Sequence, residues 1–466
     1  MWWWWVVGAE LLLSGTAVAT ALVEISRRRR ACQNTVESCG LRVLKASSLS
    51  GALKIEARAG QVAVRIADIN SRKREFGIRV VATFPTPPAF SSVRIRRETY
   101  KPPGAREVEV GDGRFDDAFY VEGPARLLSV LLDAKTRDLL LDVNAEGRLE
   151  IHRGEIRVET WDSSLANLLL NILDLARRFA EPVDVAQGLA ENARQDPVDG
   201  VRLRNLLLLA HAFPGEPKTV EALRAACADP SPRVRLRAAL ELGTERRDIV
   251  VEVAESLEDD DCSAQAVSHL NRRELPYERA CDLLAEALRR RLFHTARACM
   301  EVLGKSGDAA AVGVLAKVLA AEKGELAATA VLALGMTGSP AAEPPLLLAL
   351  RREKADVRVA AAKALGRAGS AAAVLPLKEA AERSPSDQEL NRATRQAIAE
   401  IQSRLQGASP GQLSLAGAEA GQLSLALAEA GQLALATDPA GQLSLPPEEP
   451  KRLSGTAGEK PAVRPV

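Results

Sequence analysis

The sequence predicts a mainly α-helical protein with an α+β N-terminal domain. Its main body is expected to be an α-solenoid of about six to seven helical hairpins, preceded by one transmembrane helix and followed by a disordered tail. Three observations carry this reading. Ala/Leu-rich segments ending in glycine recur about every 30 residues. Residues 41–160 instead alternate apolar and polar positions, as half-buried strands do. The chain is 47% hydrophobic but only 3% aromatic, a bias toward Ala and Leu, which enter helices at the least cost.

The first element is MWWWWVVGAELLLSGTAVATALVEISRRRR. Trp2 to Val23 would span ~33 Å as a helix, about the thickness of a bilayer core. Trp2 to Trp5 sit where an interfacial aromatic belt would be, and Arg27, Arg28, Arg29 and Arg30 follow directly. A secretory signal carries its positive charge before the apolar run; here it comes after. The expectation is a single-pass anchor in a bacterial inner membrane, with the C-terminal domains cytoplasmic. Glu10 within the span and the small residues around Ala17–Ala21 keep a cleaved signal and a non-spanning helix as alternatives. Six cysteines without a Cys-x-x-Cys pair fit a reduced compartment better than a disulfide framework.

Residues 41–160 form the basic α+β domain. Strands are predicted over Ala52–Arg58 and Gln61–Ile66, turning at Gly60, then over Gly77–Phe84, Ser92–Arg97, Glu107–Val110 and Phe119–Val121. A helix is predicted over Ala125–Asp142, then a hairpin of Arg148–Ile151 and Glu155–Val158 turning at Arg153-Gly154. An amphipathic helix capped by Ser163, within residues 161–182, connects this domain to the repeats. The runs GDGRFDDAFYVEG and GRLEIHRGEIRVE resemble a poorly characterised α+β domain of bacterial membrane-associated proteins, which implies no activity. Asp112, Asp116 and Asp117 miss the calcium-loop spacing and read as turn residues. From Arg27 to Arg106 there are 18 Lys/Arg against 5 Asp/Glu. Beside an anchor, that charge points to anionic membrane lipids. Nucleic acid is the lesser reading, since no reading motif is present and aromatics are not interleaved with the basic residues.

Residues 183–405 hold the repeats. VRLRAALELG (Val234–Gly243), TARACMEVLG (Thr295–Gly304), LAATAVLALG (Leu326–Gly335) and VRVAAAKALG (Val357–Gly366) align without gaps, the last three glycines 31 residues apart. Ala264–Leu275 fills the missing place, Val201–Gly215 reads as an earlier copy and Asn391–Leu405 as a terminal one. The fifth position is always small (Ala238, Cys299, Ala330, Ala361), allowing helices to approach closely. The ninth is always Leu, a core knob. The tenth, Gly, is expected to be the left-handed residue that ends the helix. Asp308, Ser339 and Ser370 are expected to cap the partner helices. Each hairpin would then bury its apolar face only by stacking on its neighbours. This pattern resembles the short HEAT repeats of the phycobilisome-lyase type. The resemblance implies an α-solenoid and a protein-binding scaffold. Some relatives act on bilins, but no residue here carries that chemistry.

Gly304-Lys305-Ser306 lacks the first glycine and the strand of a phosphate loop. His152, His211, His269 and His294 fall in separate elements without ligand spacing, and no hydrolase or metalloprotease motif occurs. The tail, residues 406–466, repeats GQLSLAGAEA, GQLSLALAEA, GQLALATDPA and GQLSLPPEEP. It reads as a low-complexity chain that could offer Leu-Ser-Leu to a sheet edge. Gln-Leu-Ser-Leu also resembles the sliding-clamp-binding pentapeptide, but lacks its terminal Phe.

Together these features predict a membrane-anchored protein–protein interaction scaffold, with no catalytic residue, metal or cofactor. Unidentified protein partners would dock in the solenoid groove, with Arg235, Arg358, Lys363 and Arg367 as candidate contacts and Arg27–Arg30 at the membrane surface. A lyase-type enzyme or accessory subunit is the alternative, and a nucleic-acid-associated factor the third reading.

Overall fold

The computed structural model describes residues 23–24, 26–47, 53–70, 76–98, 107–161, 165–352, 354–404, 413–416 and 422–425. The expected transmembrane span lies almost wholly outside the described residues, as do Ser163 and most of the tail. Among the described residues, no helix is long and apolar enough to cross a membrane. The chain divides into two compact units, Met1–Val253 and Ala254–Val466.

The first unit is built on an eight-stranded antiparallel sheet ordered β1-β2-β3-β4-β8-β7-β5-β6. The strands are β1 (Arg42–Ser47), β2 (Lys54–Ala59), β3 (Val62–Asn70), β4 (Phe76–Thr83), β5 (Arg94–Arg97), β6 (Phe119–Glu122), β7 (Arg148–His152) and β8 (Glu155–Thr160). Alternation along them sends Ile55, Ala57, Val64, Ile66, Val80, Ala82, Ile156 and Val158 inward. Those residues share a core with Val36 on α1 (residues 26–38) and with Leu168, Leu169, Ile172 and Phe179 on α5 (Leu165–Ala180). The opposite face shows Lys54, Arg58, Arg65, Arg79 and Arg157 to solvent. The turns fall as their residues require. Gly60 has φ +56°, and Arg153-Gly154 has φ +49° and +77°, the pair of positive angles that suits a tight hairpin.

Three features differ from the sequence reading. β1 adds a strand before the first expected one. Residues 107–110 do not form a strand; Val108 donates one hydrogen bond to Val121 (2.8 Å) before Gly111 turns the chain at φ +92°. The helix expected over Ala125–Asp142 is two helices, α3 (Ala125–Leu131) and α4 (Ala134–Glu146). The break comes at Leu132, where Asp133 accepts from the Thr136 N–H (2.7 Å) and so starts a new helix. The acidic loop is accounted for by the same region. In the short α2 (Gly113–Asp116), Asp116 accepts from the N–H groups of Val110 and Gly111, both at 2.9 Å.

Two helical hairpins belong to this unit: α6–α7 (Val185–Gln195, Asp199–Ala212) and α8–α9 (Pro217–Ala226, Pro232–Leu242). The first packs on the α+β domain through α3, and the second stacks on the first. α10 (Arg247–Ser256) spans the division between the units.

The second unit begins its stack with α11 (Asp260–His269). Four hairpins come after it: α12–α13 (Tyr277–Arg290, Phe293–Lys305), α14–α15 (Ala309–Ala321, Glu325–Met336), α16–α17 (Glu343–Ala349, Ala355–Ala368) and α18–α19 (Val374–Arg383, Gln388–Arg404). The second helices α11, α13, α15, α17 and α19 pack closely on one another, whereas consecutive first helices meet little. The stack therefore curves with its second helices inside, as helical solenoids do. The expected caps form: Asp308, Ser339 and Ser370 accept from the N–H groups of Ala310, Ala341 and Ala372. In the tail, β9 (Leu413–Ala416) and β10 (Gln422–Leu425) pair antiparallel, joining the first two Gln-Leu-Ser-Leu copies.

Candidate protein-binding face

The inner face of the second unit is made by one register repeated from helix to helix. The fifth-position residues Cys299, Ala330 and Ala361 are wholly buried between helices. The tenth-position glycines do something the sequence did not suggest. Only Gly243 takes a left-handed conformation (φ +64°). Gly304, Gly335 and Gly366 lie within α13, α15 and α17, where the next second helix crosses. A Cβ on Gly304 would lie 2.7 Å from the Ala333 carbonyl oxygen; one on Gly335 would lie 2.8 Å from the Ala364 Cα. One on Gly366 would lie 3.0 Å from the Ala397 Cα. These glycines let backbones touch. The left-handed turns come three residues later, at Gly307 (φ +66°) and Gly338 (φ +63°).

With the small residues turned to the neighbouring helices, each second helix keeps one outward row. On α13 it is Arg297, Glu301 and Lys305; on α15, Ala328, Leu332 and Met336; on α17, Lys363 and Arg367; and on α19, Arg392 and Gln396. Of these, Arg297, Lys305, Leu332, Lys363, Arg367, Arg392 and Gln396 are exposed. The row is mainly cationic with an apolar centre at Leu332. Arg297 pairs with Glu325 (3.2 Å) and Lys363 with Glu389 (3.4 Å), both at the surface.

Where α13 and α15 begin, the row opens into a cleft of about 590 Å³ lined by Arg291, Phe293, His294, Arg297, Lys323 and Leu326, among others. Phe293 is 49% exposed there. The α13 N-terminus is tied down by Asp260, which accepts from the backbone N–H groups of His294 (3.0 Å) and Thr295 (2.8 Å). Partial burial opposes the charge on Asp260, but those hydrogen bonds outweigh it and hold its carboxyl below the usual range. Burial pushes the Cys299 thiol up to about 12, so this residue is a small hydrophobe rather than a nucleophile.

The four candidate contact residues separate. Lys363 and Arg367 lie in the outward row. Arg358 bridges two repeats, donating to the Arg352 carbonyl (3.2 Å) before its own helix and to Asp387 (3.3 Å), the residue that precedes α19. Arg235, in the first unit, is nearly buried and donates to the carbonyls of Asp229 (3.0 Å) and Pro230 (3.1 Å). It belongs to a recurring device. Arg202 forks onto Asp229 with two 2.8 Å bonds and also reaches the carbonyls of Asp196 and Pro197. Arg137, on α4, forks onto Asp196 with two 2.9 Å bonds, reaches Asp112 at 2.8 Å and donates to the Leu132 carbonyl. In Arg137, Arg202 and Arg235 the guanidinium holds a carbonyl five residues back; in Arg137, Arg202 and Arg358 it meets an Asp just before a second helix. The hairpin α3–α4 thus supplies the first rung of the repeat ladder. Sequence reading missed this, because Arg137 and Asp196 are 59 residues apart. The only local signal was an Arg following a buried Thr136, in the place of Val-Arg at Val201 and Val234.

Of the other expected residues, Arg27–Arg30 lie in the first turns of α1, with Arg27 and Arg30 exposed. None of the six cysteines is joined in a disulfide. Among the described residues no group of three or more His, Cys, Asp or Glu could hold a metal ion.

A family match agrees with the repeat pattern in part of the second unit. Residues 313–399 match the HEAT repeats family, a stretch that runs from within α14 through most of α19. A structure of human deoxyhypusine hydroxylase in complex with glycerol is similar at 16% identity over 47% of this chain and 96% of that one, with a TM-score of 0.22. No curated protein matches the chain.

Proposed function

We propose that this chain is a protein-interaction scaffold held at a membrane, and that the inner face of its second unit is the docking surface. The observation that carries the reading is the division of labour among the basic residues of α13, α15, α17 and α19. One set, such as Arg358, is spent on holding loops. The other, Arg297, Lys305, Lys363, Arg367 and Arg392, stands clear of the core along a curved, closely packed stack. A row of cations around Leu332 and Met336 suits an acidic segment carrying apolar side chains, laid along the groove. The anchor is proposed from Trp2–Val23 followed by Arg27–Arg30; tethering would raise the partner's local concentration.

The test is a charge-reversal pair. Lys363→Glu with Arg367→Glu is expected to abolish co-purification of the partner from solubilised membranes while leaving the melting temperature of the protein unchanged. Arg358→Ala is expected to lower the melting temperature. Retention of the partner by the charge-reversed protein contradicts the assignment of this face.

A further inference from the structure

The first unit gathers its chain entry and an exposed tryptophan at one end of its sheet. α1 begins next to the far end of β3: Arg28 pairs with Asp68 (3.6 Å). Asp68 also accepts from the Leu53 N–H (2.8 Å), at the start of β2. One carboxylate thus gathers the start of α1, the start of β2 and the end of β3 at the same end of the sheet. The apolar segment 1–22 joins the structure here. At this end also stands Trp161, directly after Thr160, which pairs with Ile78 on β4. Trp161 is 46% exposed. It does not hang loose: its indole lies over Gly77, where an added Cβ would come within 2.8 Å of the indole Nε1 and 2.9 Å of Ile69. Gly77 is therefore a seat for the ring. Trp161 is the chain's fifth tryptophan, the other four being Trp2–Trp5.

We propose that this end of the sheet is a membrane-contacting surface for anionic phospholipid, with Trp161 in the interfacial layer and Arg27, Arg30 and Lys54 on the head groups. All three cations are exposed. Tryptophan favours the interface because one end of its ring is apolar and the other donates a hydrogen bond. Each basic residue near an anionic leaflet adds about fivefold to surface partitioning. On the anchor reading of Trp2–Val23, the place where α1 begins sets the orientation, bringing this end, and not the β1 or β6 edge, against the lipid. The inference rests on the anchor reading of Trp2–Val23.

The experiment uses the full chain with Trp2→Phe, Trp3→Phe, Trp4→Phe and Trp5→Phe, which leaves Trp161 as the sole fluorophore of its kind. The protein is reconstituted in phosphatidylcholine vesicles with or without phosphatidylglycerol, each doped with brominated phosphatidylcholine. The expected result is quenching of Trp161 by the brominated lipid, stronger with phosphatidylglycerol. Arg27→Gln with Arg30→Gln is expected to remove that dependence without changing the fraction that floats with vesicles. If the protein floats while Trp161 stays unquenched and open to aqueous iodide, the proposal is overturned and the anchor stands. Failure to float removes the anchor reading and the proposal with it. Salt-sensitive retention of double-stranded DNA without lipid quenching also overturns it, in favour of nucleic acid.

Discussion

At the scale of single residues, the informative positions are those where a local rule gives the wrong sign. Replacing a helical glycine by alanine ordinarily stabilises a helix, by up to about 1 kcal/mol. For Gly335→Ala the reverse is expected. The new methyl would sit 2.7 Å from the Ala364 Cβ, and overpacking of that kind costs about 1–3 kcal/mol. Urea denaturation of the variant reads the sign directly. Arg137 offers a larger effect. Its side chain is 1% exposed between two carboxylates, and removing one member of such a buried set costs about 3–5 kcal/mol. Arg137→Ala is therefore expected to lower the denaturation midpoint of the first unit well below that of any surface arginine variant. Asp260 gives a pH dependence. Its folded carboxyl is held below its ordinary 3.8, so its contribution is complete above that pH and is lost as pH falls through the folded value. Asp260→Asn should flatten the acid limb of stability against pH, and a limb unchanged in the variant would contradict the assignment.

At the scale of elements, repetition made the second unit legible. Three copies of one ten-residue pattern there, with a fourth in the first unit, gave the second helices, their buried fifth positions and their capped partners, because those features depend on neighbours within about 30 residues. The role of the tenth-position glycine was not legible. A glycine at a helix end and a glycine beneath a crossing helix look alike in one sequence, and only the position of Ala333 or Ala364 tells them apart. The same limit explains the arginines. Arg235 and Arg358 carry the charge of a contact residue, yet each is bound to the loop behind it. In the sheet, alternation located most strands, whereas residues 107–110 alternate well but meet β6 through the Val108–Val121 bond and not through a ladder. The break at Asp133 had a local cause, a capping side chain inside an apolar run, and could have been read.

At the scale of the whole molecule, the α+β domain is more than a spacer before the repeats. Through α3, and through Arg137 and Asp196, it forms one body with the hairpin α6–α7, on which α8–α9 stacks. Cutting the chain between residues 182 and 183 should therefore expose apolar surface on both pieces, and the fragment starting at 183 is expected to aggregate when expressed alone. A soluble, cooperatively melting fragment would argue against that coupling.

The most direct measurement of the docking claim is site-specific photocrosslinking in the full chain. A benzophenone side chain at Leu332, in the outward row of α15, is compared with one at Leu348, which is 68% exposed on the first helix α16. A discrete adduct from Leu332 that disappears in the Lys363→Glu, Arg367→Glu background, with none from Leu348, is the predicted result. An adduct formed from Leu348 and not from Leu332 would place the partner on the outside of the stack and contradict the account.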